Sequence, residues 1–310
     1  MLCNSQRIHI ARVQCLITNH IVEKGELMIM KTAYMVDSGA DLSVEEAKRL
    51  GIYVLRMPIQ IDDKTYIEGV DISNEELIKV IKEGGMPKTS QPILGDIIKL
   101  WDEILSEYDQ ILYIPLGRVW SHTTETAKML VEDERYEGKV FVVEADFIAY
   151  PIVSYVLWAR EQIENGHSIA EVCQKISEEG KIEACVIPEN LEIIKRGGRI
   201  SPTVASMANL LNILPVLWLD EKGVAPLAKV HTLKKAYRKG VEAVSTNVNP
   251  EDYYWMIIDA DNRAMSDELL PLLSEAISGE KVEQHVFNAT ILSHSGPGTI
   301  GFGRVKKLSF

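Results

Sequence analysis

The chain has 310 residues, 46% of them hydrophobic and 25% charged, the balance of an ordinary soluble globular protein long enough for about two domains. A formal net charge of -12 argues against generic binding to nucleic acid or an anionic membrane, and no apolar run approaches the roughly 20 residues that span a bilayer. Cys3, Cys15, Cys173 and Cys185 have neither metal-ligand nor redox spacing and read as idle thiols of a reducing cytoplasm.

Residues 1–30 lack the apolar core and cleavage site of a secretory signal. They precede the first convincing strand and are expected to be a disordered extension, or to lie upstream of a true start at Met28 or Met30. Ala33 to Val36 then reads as a strand ending in the turn-rich Asp37-Ser38-Gly39-Ala40-Asp41. Ser43 with Glu46, Ser73 with Glu76 and Ser168 with Glu171 have capping-box spacing and open three helices. Ile52 to Ile61 reads as one or two strands. Lys88 to Pro92 is a polar loop, and the spacing of Leu94, Ile97, Ile98, Trp101, Ile104 and Leu105 predicts a helix. Ile111 to Ile114 and Lys139 to Val143 read as buried strands, and a long apolar helix runs from Pro151 through Ile163. Alternating strand and helix predicts an α/β domain over 31–165, with a mostly parallel sheet sandwiched by helices.

The second half, 166–310, reads as an α+β domain. Strands are expected at Glu183 to Ile187, Tyr253 to Ile258, Lys281 to Phe287 and Thr290 to Leu292, with a hairpin around Glu221-Lys222-Gly223. Helices are expected at Leu191 to Arg196, Thr203 to Asn212, Leu233 to Val244 and Asp267 to Ile277.

Four polar segments end these elements: Thr89-Ser90, Ser121 to Thr124, Gly197-Gly198-Arg199 and His294 to Thr299. Ser121 lies in a strand-to-helix loop, where a helix N-terminus offers unpaired N–H groups to an anion, although a serine there also serves as an N-cap. Converging, the four segments would form a site for a carboxylate or phosphate. A Ser121–His294 triad with Asp37 or Asp146 is the competing use of the same residues, but there is no G-x-S-x-G elbow. A P-loop, a GxGxxG turn, H-E-x-x-H and zinc spacings are also missing from the sequence.

Taken together, five strings resemble the DegV family of bacterial fatty-acid-binding proteins over about residues 31–310. They are Val36-Asp37-Ser38 with Ala40-Asp41-Leu42, Thr89-Ser90-Gln91-Pro92, Leu191 through Ser201 including Gly197-Gly198-Arg199, Leu211-Asn212-Ile213 with Pro215, and His294-Ser295-Gly296-Pro297-Gly298. The resemblance implies a cytoplasmic, non-catalytic carrier that acts in phospholipid metabolism without a cofactor. A long-chain fatty acid would lie in a tunnel at the domain junction, with its carboxyl group presented to a partner fatty-acid kinase for acyl-phosphate formation. It also implies that Thr89, Ser90, Ser121, Thr123 and His294 surround the carboxyl group, with Arg199 at the charged mouth.

The chain departs from the family pattern where that head group is expected. His122 stands in place of a glycine in Arg118-Val119-Trp120-Ser121-His122-Thr123, and His231 replaces a permanent cation in Lys229-Val230-His231-Thr232. Glu144-Ala145 replaces the usual Asp-Ser, and Tyr150 and Pro151 occupy the region of the glycines that follow. His122 and His231 are therefore expected to tune head-group binding. A divergent lipid-binding regulator without a kinase partner, or a serine esterase or acyltransferase using Ser121, are the alternative readings.

Overall fold

A computed structural model of the chain describes residues 20–23, 26–206 and 213–310. Cys3, Cys15, the Leu211-Asn212 landmark and the end of the helix expected over Thr203 to Asn212 lie outside these residues. Within the expected extension, β1 (His20–Glu23) and β2 (Glu26–Ile29) pair as an antiparallel hairpin.

The chain continues through β3 (Thr32–Asp37), β4 (Ile52–Leu55), β5 (Pro58–Ile61), β6 (Lys64–Ile67), β7 (Lys88–Thr89), β8 (Gln110–Ile114) and β9 (Val140–Val142). A wholly parallel sheet has the order β4-β3-β8-β9, and β6-β5-β7 is a small antiparallel sheet beside it. β3 and β8 are apolar on both faces because both faces are covered. Ala33 and Met35 pack with Ile97, Trp101 and Ile104 of the helix Leu94–Leu105. Tyr34 and Val36 turn the other way, into the core that includes Ile152 and Val156 of the helix Pro151–Glu164. The capping boxes expected at Ser73 and Ser168 are both formed, and Ser43 accepts from the Glu46 N–H.

The remaining strands, β10 (Ile182–Ile187), β11 (Leu214–Asp220), β12 (Gly223–Val230), β13 (Tyr253–Asp259), β14 (Val282–Val286) and β15 (Ile300–Lys306), form a mixed sheet of order β12-β11-β10-β15-β13-β14. Its pairs are antiparallel except β13 with β14. The helices Leu233–Ser245 and Arg263–Ala276 cover one face, against Cys185, Trp255 and Phe302. Its other face, with Ile182, Met256, Ile258 and Val305, shares a core with the helices packed on the parallel sheet. Helices therefore sit outside both sheets and between them, in the mixed α/β architecture expected from the sequence.

Several assignments differ from expectation: Lys88–Thr89, read as part of a polar loop, and Lys64–Ile67, not assigned from the sequence, are both strands paired with β5, and three further segments differ. Thr290 to Leu292, a β-branched run read as a strand, lies in the helix Ala289–Ser295. The Phe287 N–H bonds to the Asp259 carbonyl, the last rung beside β14, and the Leu292 N–H then bonds to the Asn288 carbonyl. Burial of this segment on both halves overrides its strand propensity. Ile300 to Lys306, left unassigned, is the fourth strand of the mixed sheet, and its two glycines hid the alternation. The helix expected from Asp267 begins at Arg263, because the Asn262 side chain accepts from the Met265 N–H.

The helix Ala289–Ser295 is fastened to the first half of the chain by a short polar chain. The Asn288 N–H donates to Asp41 Oδ1 at 2.8 Å, and the Asn74 amide donates to the Phe287 carbonyl and to Asn288 Oδ1, each at 3.1 Å. Asp41 is buried, which pushes its carboxyl group well above the usual carboxylate range. Replacing Asn74 with Ala removes both amide bonds and leaves the Asn288 oxygen to find another donor. The expected loss is about 1–2 kcal/mol, read as a lower urea midpoint with an unchanged slope.

Candidate functional site

The loop carrying Ser121 is built from the carboxyl ends of β3 and β8. Asp37, at the end of β3, accepts the Gly39 N–H on one oxygen and the Leu116 N–H on the other, both at 2.8 Å. The Gly117 N–H bonds to the Phe147 carbonyl, and the Ser121 N–H then bonds back to the Gly117 carbonyl at 3.1 Å. Gly117 is needed here, because a Cβ would lie 2.5 Å from Asp146 Cα. Thr89 and Ser90 are held by β5: Thr89 pairs with Ile59, and the Ser90 N–H bonds to the Pro58 carbonyl.

These loops border a cavity of about 500 Å3, within the roughly 300–1,000 Å3 usual for small-molecule sites. Its floor is the inner face of the mixed sheet. In register across three strands, Gly303 lies between Ala184 and Met256, and Gly301 between Val186 and Ile258. Two glycines on the middle strand leave a trough walled by larger apolar residues. Gly301 also makes room for Phe287, whose ring would meet a Cβ there at 3.2 Å. Ile148, Ile194, Ile200 and Ile291 extend the apolar wall.

All four polar segments reach this cavity. Thr89, Ser90, Ser121, His122, Arg199 and His294 line it. His294 Nε2 lies 2.7 Å from Thr89 Oγ1, and its other edge packs on Gly197, where a Cβ would stand 2.8 Å from Nδ1. Gly198, with φ +71°, turns the chain so that Arg199 follows at the rim, its guanidinium donating to the Gly197 carbonyl. His122 occupies the N-cap of the helix Thr123–Val131, in place of the Ser121 expected from the sequence, and its side chain is 83% exposed.

Two expected residues lie outside the lining. Thr123 is buried behind Ser121, whose Oγ it meets at 2.8 Å, so it acts on Ser121 rather than on the cavity. His231 is exposed beyond the end of β12. Glu144 pairs with Lys128 at 2.5 Å outside the lining, and Tyr150 donates to Glu46 while stacking on His285. Among the expected replacements, His122 and Pro151 therefore reach the cavity. The sequence reading missed Thr290, Trp120 and the glycine floor. The two glycines at alternate positions in Ile300-Gly301-Phe302-Gly303-Arg304, which weaken the strand signal, were the available sign of that floor.

The serine triad is not assembled. Ser121 is bonded to Thr123, His294 to Thr89, Asp37 to two backbone N–H groups, and Asp146 to Arg118 and the Val119 N–H. Burial, reinforced by the Arg199 charge, lowers the His294 imidazole to about 4, so it is neutral at pH 7. Burial raises the Asp37 carboxyl to about 7 despite its two N–H donors. Among the described residues, no cluster of three or more His, Cys, Asp or Glu is placed to hold a metal, and no helix is long and apolar enough to cross a membrane.

Fold and site together define an α/β protein with a largely apolar cavity on the inner face of its mixed sheet, lined also by hydroxyls and a neutral imidazole. Residues 31–307 match the model of the DegV family, described as uncharacterised proteins, and the chain belongs to that family. A DegV domain-containing protein of Streptococcus pneumoniae is 30% identical, aligning 89% of this chain with 99% of that one. A similar solved structure is a DegV family protein from Thermus thermophilus described as binding fatty acid, 26% identical with a TM-score of 0.78, covering 90% of this chain and 100% of that one. Another, from Streptococcus agalactiae, is a fatty-acid-binding DegV family protein, 28% identical with a TM-score of 0.78 over the same shares.

Because folded His294 takes up its proton near pH 4 and an unfolded histidine near 6.5, the unfolded chain binds more protons between those values, and stability falls as the pH drops through that window. Asp37 acts in the opposite sense between about 7 and its usual 3.8, so comparison with His294→Gln isolates the histidine. Between pH 7 and pH 4.5 the wild type should lose on the order of 2 kcal/mol more stability than the variant. Equal losses in urea titrations would contradict the buried, neutral imidazole.

Proposed function

We propose that this protein binds a long-chain fatty acid, burying the acyl chain over the glycine floor and holding the carboxyl group among Ser90, Ser121, Thr89 and His294. The observation that carries this reading is the cavity itself, whose lining is mostly apolar over the glycine floor and also holds the Thr89, Ser90 and Ser121 hydroxyls, the His294 imidazole and the Arg199 guanidinium. Each buried methylene contributes about 0.8 kcal/mol, so the chain supplies most of the affinity and the polar end sets its direction. Hydroxyls both donate and accept, and can serve the free acid and a phosphorylated head group alike. The fatty-acid binding described for the Thermus and Streptococcus agalactiae proteins supports the same reading.

In this proposal the protein is a carrier without a catalytic centre. A partner fatty-acid kinase approaches the mouth and transfers a phosphoryl group to the presented carboxylate. Arg199, exposed and lining the cavity, provides a guanidinium suited to phosphate, and the exposed His122 lines the same cavity. The setting is cytoplasmic, with the acyl phosphate directed to phospholipid synthesis.

Ser121→Ala and Ser90→Ala should each weaken palmitic acid binding by about tenfold, the loss of one hydrogen bond to a charged group, with circular dichroism unchanged. Titration calorimetry or displacement of a fluorescent fatty acid reads this directly. Wild-type affinity in both variants would remove the head-group assignment.

A further inference from the structure

Resting on the fatty-acid reading above, we infer that Thr290 makes this cavity selective for fatty acids that carry a hydroxyl close to the carboxyl group. Thr290 is 2% exposed and lines the cavity, and its Oγ1 is buried with no hydrogen-bond partner in the protein. Position in the helix explains why. A hydroxyl inside a helix usually bonds to the carbonyl four residues back, as Ser293 does to the Ala289 carbonyl at 2.7 Å. Four residues before Thr290 is Val286, in β14, so no helical carbonyl is in reach. Of the other hydroxyls of the wall, Thr299 is bonded to the Ser295 carbonyl, and Ser295 Oγ is buried without a partner next to His294, on the head-group side of Thr290.

Thr290 and His294 lie one turn apart on the same face of the helix, about 6 Å along its axis. In this inference the acyl chain leaves the carboxyl group by His294 toward the N-terminal end of the helix, and so meets Thr290 within its first several carbons. The neighbouring wall there is apolar, from Phe287 and Ile291. A plain methylene chain leaves Oγ1 unpaired, at a cost large enough to read as a change in affinity. A ligand hydroxyl can accept from Oγ1 and donate to it, and turns the same group into a recognition element.

The experiment compares palmitic acid, β-hydroxypalmitic acid and ω-hydroxypalmitic acid on the wild type, Thr290→Val and Thr290→Ser. The wild type should bind the β-hydroxy acid about tenfold more tightly than palmitic acid, with no such gain for the ω-hydroxy acid. Thr290→Val, which keeps the shape and loses the hydroxyl, should abolish the preference while binding palmitic acid at least as well, and Thr290→Ser should retain it. An equal ratio in wild type and Thr290→Val overturns the inference and assigns Oγ1 to a cavity water. Failure of all three acids to bind any variant overturns the fatty-acid reading, and this inference with it.

Discussion

The site depends on one buried carboxylate. Asp37 closes the gap between the ends of two parallel strands by accepting the Gly39 and Leu116 N–H groups, and the loop bearing Ser121 starts from Leu116. Parallel strands deliver their carboxyl ends to one edge of the sheet, where the backbone leaves its ladder with unpaired N–H groups. An apolar side chain at position 37 would orphan both. Burial raises Asp37 toward its protonated form, yet the two donors keep it useful as an acceptor in either state. The related junction at Asp41 repeats the device, using a carboxylate at the end of the same turn to catch the backbone of Asn288 from the other half of the chain.

The cavity exists because side chains are missing where a core would normally be filled. Gly301 and Gly303 alternate along a middle strand, and Ala184 lies opposite one of them, so the inner face of the mixed sheet sinks below its flanking Val186, Met256 and Ile258. On the opposite face the same strand buries Ile300 and Phe302 in the core beneath the outer helices. Gly240 of the overlying helix comes so close to the Phe302 ring that a Cβ would stand 2.3 Å from it. The sheet is thus tightly packed outside and hollow inside. Glycine in a strand weakens it, and here that loss is offset by antiparallel pairing on both sides.

The parts of the structure set by local chemistry were legible in the sequence. Capping boxes marked the helix starts at Ser73 and Ser168, apolar runs marked β3 and β8, and Gly198 marked a left-handed turn. Where long-range packing decides, the sequence misled. Thr290 to Leu292 has the composition of a strand, but its place between the two halves makes it a helix and turns Thr290 into the cavity. The glycines that make β15 useful also erased its strand signal. His231 and Glu144, expected from the sequence to bear on the head group, lie away from the lining, whereas the exposed His122 lines the cavity. Proximity in a motif carries no information about depth or direction, and only the fold separates these three.

The most direct test of the central claim is native mass spectrometry of the purified full-length protein, followed by solvent extraction and identification of the bound molecule. The account predicts a stoichiometric adduct with the mass of a long-chain fatty acid, lost when the protein is unfolded and regained when the acid is added back. A protein that carries no lipid and takes up no added fatty acid would contradict it.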